Sequence, residues 1–278
     1  MKATYINHMG TDLSVVNAAR VSFGKISQWD NVDRLIECPD ITPTLSKSDL
    51  GLIAFLARGC TSGDWEELLY GLNLHVKLDS GHNPWIDPED AEEIANYIKR
   101  LPDHWTPFGH TAITLHMKAP IFVARQLGKH QVGMVWNEVS RRYVSDEPEF
   151  FYPPTFRKTA ENVKQGSSDE EATLLREPLP RLSHSGGRIK QSIGVANAHI
   201  KELYEELLAS GVCPEQARMV LPQSMYTEWY WTGNLYSFAN VFIQRTDSHA
   251  QREVQDIAKQ IGEIIQPLYP VSWEALTK

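Results

Sequence analysis

Apolar residues recur along the chain in two rhythms, and those rhythms set the predicted elements. Thr4–His8 reads as a short strand. From Thr11 to Phe23 the residues Leu13, Val16 and Ala19 or Ala18 fall on the inner face of a helix capped by Thr11. Another helix spans Ser48–Arg58 and stops at Gly59. Asp87-Pro88-Glu89-Asp90 opens a further one, with a capping aspartate and a proline at the first helical position, and Lys99 and Arg100 close it where the dipole favours cations.

Ile113, Leu115 and Met117 alternate with Thr114, His116 and Lys118, the period of a half-buried strand, and Pro120 then starts a helix. Phe150–Tyr152 reads as extended, whereas Lys158–Gly187 is polar, glycine-bearing and expected to be mobile. A long amphipathic helix from Arg188 to Ser210 closes at Gly211, and a shorter one runs from Pro214 to just before Pro222. Ser224–Trp231 alternates again as a strand. Two helices follow, one started by Asn234 and one capped by Asp247 that runs to Gln266. Strands mixed with long helices, without a regular strand-helix-strand rhythm, predict an α+β fold with an antiparallel sheet, in one elaborated domain over residues 1–278.

Composition narrows the function classes. The formal net charge of -8 argues against a broad footprint for a nucleic-acid backbone, so any basic site must be local. Cys38, Cys60 and Cys213 show no CxxC spacing, which suggests neither a disulfide framework nor a cysteine metal site. The N-terminus lacks an apolar signal core, and no run approaches the ~18 apolar residues of a membrane helix, so the expected location is the cytoplasm.

The chemistry concentrates in two strips, Arg125–Tyr143 and Arg218–His249. On a helix continuing past Pro120, Arg125 and Lys129 are four apart, as are Gln126 and His130, which gives two adjacent polar rows. Asn137-Glu138-Val139-Ser140-Arg141-Arg142-Tyr143 then packs an amide, a carboxylate, a hydroxyl and two guanidinium groups together. Guanidinium groups suit phosphate through their planar, permanently charged fork. The structural alternative is ion pairing of Arg141 and Arg142 with Asp146, Glu147 or Glu149. Ser140 lacks a Gly-x-Ser-x-Gly setting and reads as a phosphate donor instead of a nucleophile.

The run Lys118–Gln126 followed by Asn137–Tyr143 resembles the flavin-dependent thymidylate synthases, whose signature is Arg-His-Arg, a short spacer, then Asn-Glu-x-Ser-x-Arg-Tyr. Further matches fall in family order at Ala19–Phe23, His104–His110, Ala217–Pro222 and Trp231–Gln251. The resemblance implies a homotetramer with shared active sites, bound FAD, and conversion of dUMP to dTMP, with methylenetetrahydrofolate supplying the carbon and NADPH the reducing equivalents. It implies that Arg125, Gln126, Lys129, Glu138, Ser140, Arg141, Arg142, Arg218 and Arg245 hold dUMP. FAD would meet Ser22, Thr106, Lys129, His130, Gln131, Asn137, Glu138, Asn234, Asn240 and His249, with His104 nearby as a catalytic group. Arg245 would stabilise negative charge on the pyrimidine carbonyls, the alternative being a salt bridge to Asp247. No cysteine lies in either strip, so the hard step falls to the flavin.

Two departures stand out. Lys129-His130-Gln131 replaces Arg-His-Arg, which removes two guanidinium groups; Arg141, where many members carry a small residue, is expected to restore one charge, so that Arg141→Ala weakens dUMP binding. A helical excursion at about residues 24–102 either covers the folate side or is a surface or subunit elaboration. Such departures resemble those of virus-encoded relatives, for which the compartment is the host cytoplasm. The alternatives are a flavin- and folate-dependent dUMP hydroxymethylase and an inactive flavin- or nucleotide-binding relative.

Overall fold

The computed structural model describes residues 1–37, 41–58, 104–144, 146–160, 167–172 and 189–277. The expected helix from Asp87, the cysteines Cys38 and Cys60, and most of the 24–102 excursion lie outside them. The elements are β1 (Lys2–Met9), α1 (Asp12–Arg20), α2 (Val32–Glu37), α3 (Lys47–Arg58), β2 (Ala112–Pro120), α4 (Ile121–Leu127), β3 (Met134–Glu138), β4 (Arg157–Thr159), β5 (Ser167–Glu171), α5 (Ile189–Ala209), α6 (Pro214–Ala217), β6 (Tyr226–Gly233), α7 (Leu235–Thr246), α8 (Arg252–Ile265) and α9 (Pro270–Thr277). The fold is α+β with an antiparallel sheet, in the strand order β1-β2-β6-β3. No helix among the described residues is long and apolar enough to cross a membrane.

Two compact units emerge, each assembled from three stretches of chain. One comprises Met1–Ile6, Thr114–Thr232 and Val241–Ile261. Leu115, Met117 and Ala119 of β2 and Trp229 and Trp231 of β6 alternate into its core, which removes one face of each strand from water. Val254, Ile257, Ala258 and Ile261 give α8 one fully buried stripe, and Gln260 on that helix accepts a hydrogen bond from the Ala3 amide at 3.0 Å. Helix α5 packs against α6 and the 3-10 turn Arg218–Val220, and it ends at Gly211, whose φ of 82° lies in the left-handed region.

The other unit comprises Asn7–Ile113, Gly233–Asn240 and Gly262–Lys278. Here α9 packs on α1 and α3. Thr11 and Ser14 form a capping box at the start of α1. The face buried by α1 is Asp12, Val15 and Val16, whereas Leu13 is only half-buried, so the expected inner face is rotated by part of a turn. The reason is Asp12, whose carboxylate accepts the Val271 amide at 3.0 Å and the Ser272 amide at 2.8 Å at the start of α9. Gly10 joins β1 to α1 at φ 97°, and a side chain there would meet the Thr111 methyl group at 3.3 Å.

Several expectations need correction. Among the described residues of Lys158–Gly187, where no strand was expected, β4 and β5 pair as an antiparallel ribbon; Arg157 lies opposite Glu171 and Thr159 opposite Ser167. Helix α4 ends at Leu127 with Gly128 as its cap, so Lys129 and His130 leave the helix and the two i, i+4 rows do not form. Asp247 does not cap α8, which begins at Arg252; its carboxylate instead accepts the His249 amide at 2.8 Å. The edge strand β3 and helix α9 had no counterpart in the sequence reading.

Candidate active site

In the first unit, the loop after α4 brings His130 against the last turn of α7. Arg245 Nε donates to His130 Nε2 at 2.9 Å, and its terminal nitrogen donates to the carbonyl of Gln126 at 3.1 Å. That second bond satisfies one of the carbonyls that the end of α4 leaves without an intrahelical partner. The alternative pairing of Arg245 with Asp247 is absent, since Asp247 is engaged by the His249 ring at 2.9 Å. Burial, and then the Arg245 charge, hold His130 below the ordinary imidazole pKa. Burial likewise lowers Arg245.

Three cavities adjoin through shared walls. One of about 870 Å³ is lined by Gln126, Lys129, Arg157, Ser167, Arg245, Ser248, His249, Gln251, Arg252, Gln255 and Lys259, with no carboxylate among its described lining residues. In a chain of net charge -8 this is a local concentration of positive potential. A second, of about 560 Å³, holds Arg125, Lys129, His130, Gln131, Trp136 and Glu138, so Lys129 borders both. Another, of about 770 Å³, holds Asn137, Glu138, Arg141 and Arg218, but also Asp146, Glu147, Glu149, Glu215 and Glu228, so its balance is acidic.

Glu138 sits at the wall common to the second and third cavities. Thr227 donates its hydroxyl to Oε1 at 2.6 Å and Trp136 its indole N–H to Oε2 at 3.2 Å. Trp136 is itself held by stacking on Trp229, with ring centroids 4.2 Å apart. Arg141 donates to the backbone carbonyl of Asp146, and Arg142 to the Ser140 hydroxyl at 3.2 Å while lying 5.1 Å from the Tyr143 ring centre. Neither arginine pairs with the acids expected as their structural partners: Glu147 takes Lys201 and Glu149 takes Lys118.

Arg125, Lys129, Gln131, Asn137, Glu138, Arg142, Arg218 and His249 are exposed, while Gln126, His130, Ser140, Arg141 and Arg245 are half-buried. The remaining predicted residues belong to the other unit. Ser22 is exposed in the 3-10 turn Val21–Phe23, and Thr106 opens the 3-10 turn Thr106–His110. His104 stacks on Phe55 with centroids 5.3 Å apart, and Asn234 accepts the Ser237 amide at 2.9 Å, which caps α7. Asn240 lies half-buried on α7. Arg157, Gln251 and Glu253 were not read as site residues; a buried glutamate in the first turn of a helix looks like a dipole partner in sequence. Among the described residues no group of three or more His, Cys, Asp or Glu is placed to hold a metal ion.

The donor set suits a flavin dinucleotide and a nucleotide monophosphate. A cavity without carboxylates among its described lining residues suits a phosphate-bearing ligand, and the side-chain amides of Gln126, Gln131 and Asn137 suit a planar ring with amide-like edges.

A flavin-dependent thymidylate synthase of Thermosipho africanus is 38% identical over 191 residues, covering 69% of this chain and 78% of that protein. The enzyme of the same name from Thermus thermophilus is 37% identical over 191 residues, covering 67% of this chain and 63% of its own. The crystal structure of a UMP/dUMP methylase, PolB from Streptomyces cacaoi bound with 5-Br dUMP, superposes with a TM-score of 0.63 at 25% identity, covering 99% of this chain and 94% of that one. The profile of the family described as thymidylate synthase complementing protein matches residues 4–271, and the chain belongs to that family, the flavin-dependent thymidylate synthases.

Proposed function

We propose that this chain methylates dUMP to dTMP as a flavin-dependent thymidylate synthase, with Arg245 as the group that steadies charge on the pyrimidine. The observation that carries the reading is the joining of Arg245, His130 and Gln126 beside a large cationic cavity, in a chain of that family. Methyl transfer is favoured over the hydroxymethyl alternative by the names of the relatives and of the solved neighbour.

The cavity that holds Lys129, Arg245 and Arg252 draws an anionic nucleotide toward the site, and Arg125, Gln126, Lys129, Glu138, Ser140, Arg141, Arg142, Arg218 and Arg245 would hold dUMP across subunits of a homotetramer, with Ser140 and the Arg141 and Arg142 guanidinium groups at its phosphate. Lys129, His130, Gln131, Asn137, Glu138 and His249 would hold FAD, and the family resemblance also assigns Ser22, Thr106, Asn234 and Asn240 to the cofactor and a catalytic role to His104. When bound, FAD would supply reducing equivalents taken from NADPH, and methylenetetrahydrofolate the carbon. The residues of this chain bind, orient and stabilise. As the pyrimidine gains electron density, its carbonyl oxygens become more negative. A half-buried guanidinium already fixed by His130 and the α4 carbonyl meets that charge without reorganising. Its two anchors use Nε and one terminal nitrogen, which leaves the other terminal nitrogen to donate.

The test is the visible spectrum of the purified protein before and after NADPH with dUMP present, followed by tritium release from 5-tritiated dUMP and the mass of the product. Flavin absorbance that NADPH bleaches, with dTMP formed, is expected. A colourless protein that takes up no FAD and leaves dUMP untouched overturns the reading, and a hydroxymethyl product redirects it.

A further inference from the structure

A continuous chain of side-chain hydrogen bonds runs from Gln126 to the β4–β5 ribbon. Gln126 Nε2 donates to Gln251 Oε1 at 2.7 Å, and Gln251 Nε2 donates to Glu253 Oε2 at 2.9 Å. Arg157 grips both oxygens of Glu253, at 2.9 Å and 3.0 Å, and its Nε donates to the Ser167 hydroxyl at 2.7 Å. The Arg157 and Glu253 side chains are only 17% and 9% exposed, so this is an enclosed pair.

The direction of the chain is set at one end. An ionised carboxylate only accepts, whereas a primary amide has one donating and one accepting end. Facing Glu253, Gln251 must present its NH2 group, so its carbonyl faces Gln126, which must answer with its own NH2. The side-chain oxygen of Gln126, Oε1, is thereby turned away and bonded to no described residue, on a side chain that lines the cationic cavity. Burial pushes the Glu253 carboxyl up, but hydrogen bonds from Arg157, the backbone and Gln251, with the Arg157 charge, outweigh it and hold the group below its ordinary value. The anchor is therefore anionic at neutral pH.

We propose that Arg157, Glu253 and Gln251 form a positioning relay that locks Gln126 as a hydrogen-bond acceptor, so that the site selects a nucleotide presenting an N–H or O–H donor there. This rests on the reading that Gln126 contacts dUMP. A uridine nucleotide offers ring N3–H or a sugar hydroxyl. A cytidine nucleotide carries an unprotonated N3 and would meet the same oxygen acceptor to acceptor, so a contact at the ring edge also discriminates between bases.

The test uses holoenzyme, with dUMP affinity by calorimetry, KM and kcat, and flavin content and melting temperature as folding checks. Gln126→Ala is expected to weaken dUMP about tenfold. Gln126→Glu, an isostere with no donor, forces Gln251 to donate toward position 126 and to aim its carbonyl at Glu253, so KM rises about tenfold or more with less change in kcat. Adding Glu253→Gln lets the chain run in reverse, because the introduced amide donates to Gln251, which donates to the introduced carboxylate. The double variant is expected to return to within about threefold of the wild-type KM, while Glu253→Gln alone moves KM by about threefold or less. A double variant in which the two single effects multiply, without recovery, overturns the relay.

3-Methyl-dUMP and 2′,3′-dideoxyuridine monophosphate separate the two donors. One of them should bind the wild type about tenfold more weakly than dUMP, and Gln126→Ala should lose that preference. If neither analogue is discriminated, the acceptor role is overturned. Wild-type holoenzyme that fails to bind dUMP refutes the substrate itself, and Gln126→Ala with unchanged affinity refutes the Gln126 contact; each removes the relay for a reason distinct from a failed rescue.

Discussion

Arg245 Nε lies 2.9 Å from His130 Nε2 and donates to it, which fixes the protonation of the imidazole. A guanidinium has only donors, so Nε2 must be the unprotonated nitrogen and His130 is neutral with its proton on Nδ1. Burial and the Arg245 charge lower the folded pKa below 6.5, so the unfolded chain binds more protons than the folded one between those values. The stability from this contact is therefore complete above 6.5 and is lost as pH falls from there through the folded pKa. The kcat/KM profile should lose activity through the same acidic window, because protonation expels Arg245 from its seat. His130→Asn, which keeps an acceptor that does not titrate, should flatten that limb; an acidic limb unchanged in the variant would assign it to another group.

Replacing Arg245 separates charge from geometry. Arg245→Ala is expected to lower kcat about 10²- to 10³-fold, the scale of a lost transition-state donor, with a smaller change in the KM for dUMP. Arg245→Lys keeps a point charge but cannot span His130 and the Gln126 carbonyl together, so it should fall between the two. Equal losses in affinity and none in kcat, read by tritium release, would reduce Arg245 to a binding residue.

Asp12 shows what long-range capping contributes to the second unit. Its carboxylate receives the first two amides of α9 from across the chain, and Asp12 is 4% exposed. Asp12→Ala leaves both amides without that acceptor and should cost about 1–3 kcal/mol in urea unfolding. Asp12→Asn retains one acceptor oxygen and should cost less. A loss within about 0.5 kcal/mol for the alanine variant would mean that water replaces the carboxylate without penalty.

How much of this was readable along the chain follows from where the signal resides. The alternation of Ile113, Leu115 and Met117 was legible because β2 buries one face completely. Strand β3 was not, since its apolar stretch Met134–Trp136 is only three residues long and does not alternate, Val135 is 64% exposed at the sheet edge, and Asn137 and Glu138 are polar and exposed. Asp247 followed by Ser248 and His249 resembles a helix cap, but its own turn consumes the carboxylate. The candidate site residues stand out along the chain as chemical types in family order. Their partnerships do not: Arg245 meets His130 across 115 residues and Arg157 meets Glu253 across 96, distances at which one sequence carries no pairing signal.

Lys129 stands where the family signature has arginine, on the wall shared by the cavities of about 560 and 870 Å³. It is exposed, outside the end of α4, so on the proposed reading it would act on a phosphate-bearing ligand by long-range attraction more than by fixed geometry. Lys129→Ala should weaken FAD or dUMP about tenfold at low salt, and the ratio to wild type should shrink as ionic strength rises past about 0.15 M, where the screening length is about 8 Å. Lys129→Arg supplies the planar fork and should bind at least as tightly as wild type, with less salt dependence because bidentate bonds are short-ranged. Calorimetry at two salt concentrations decides the matter: a constant ratio for the alanine variant would mean that Lys129 makes a buried direct contact in the assembled site instead of acting through its field.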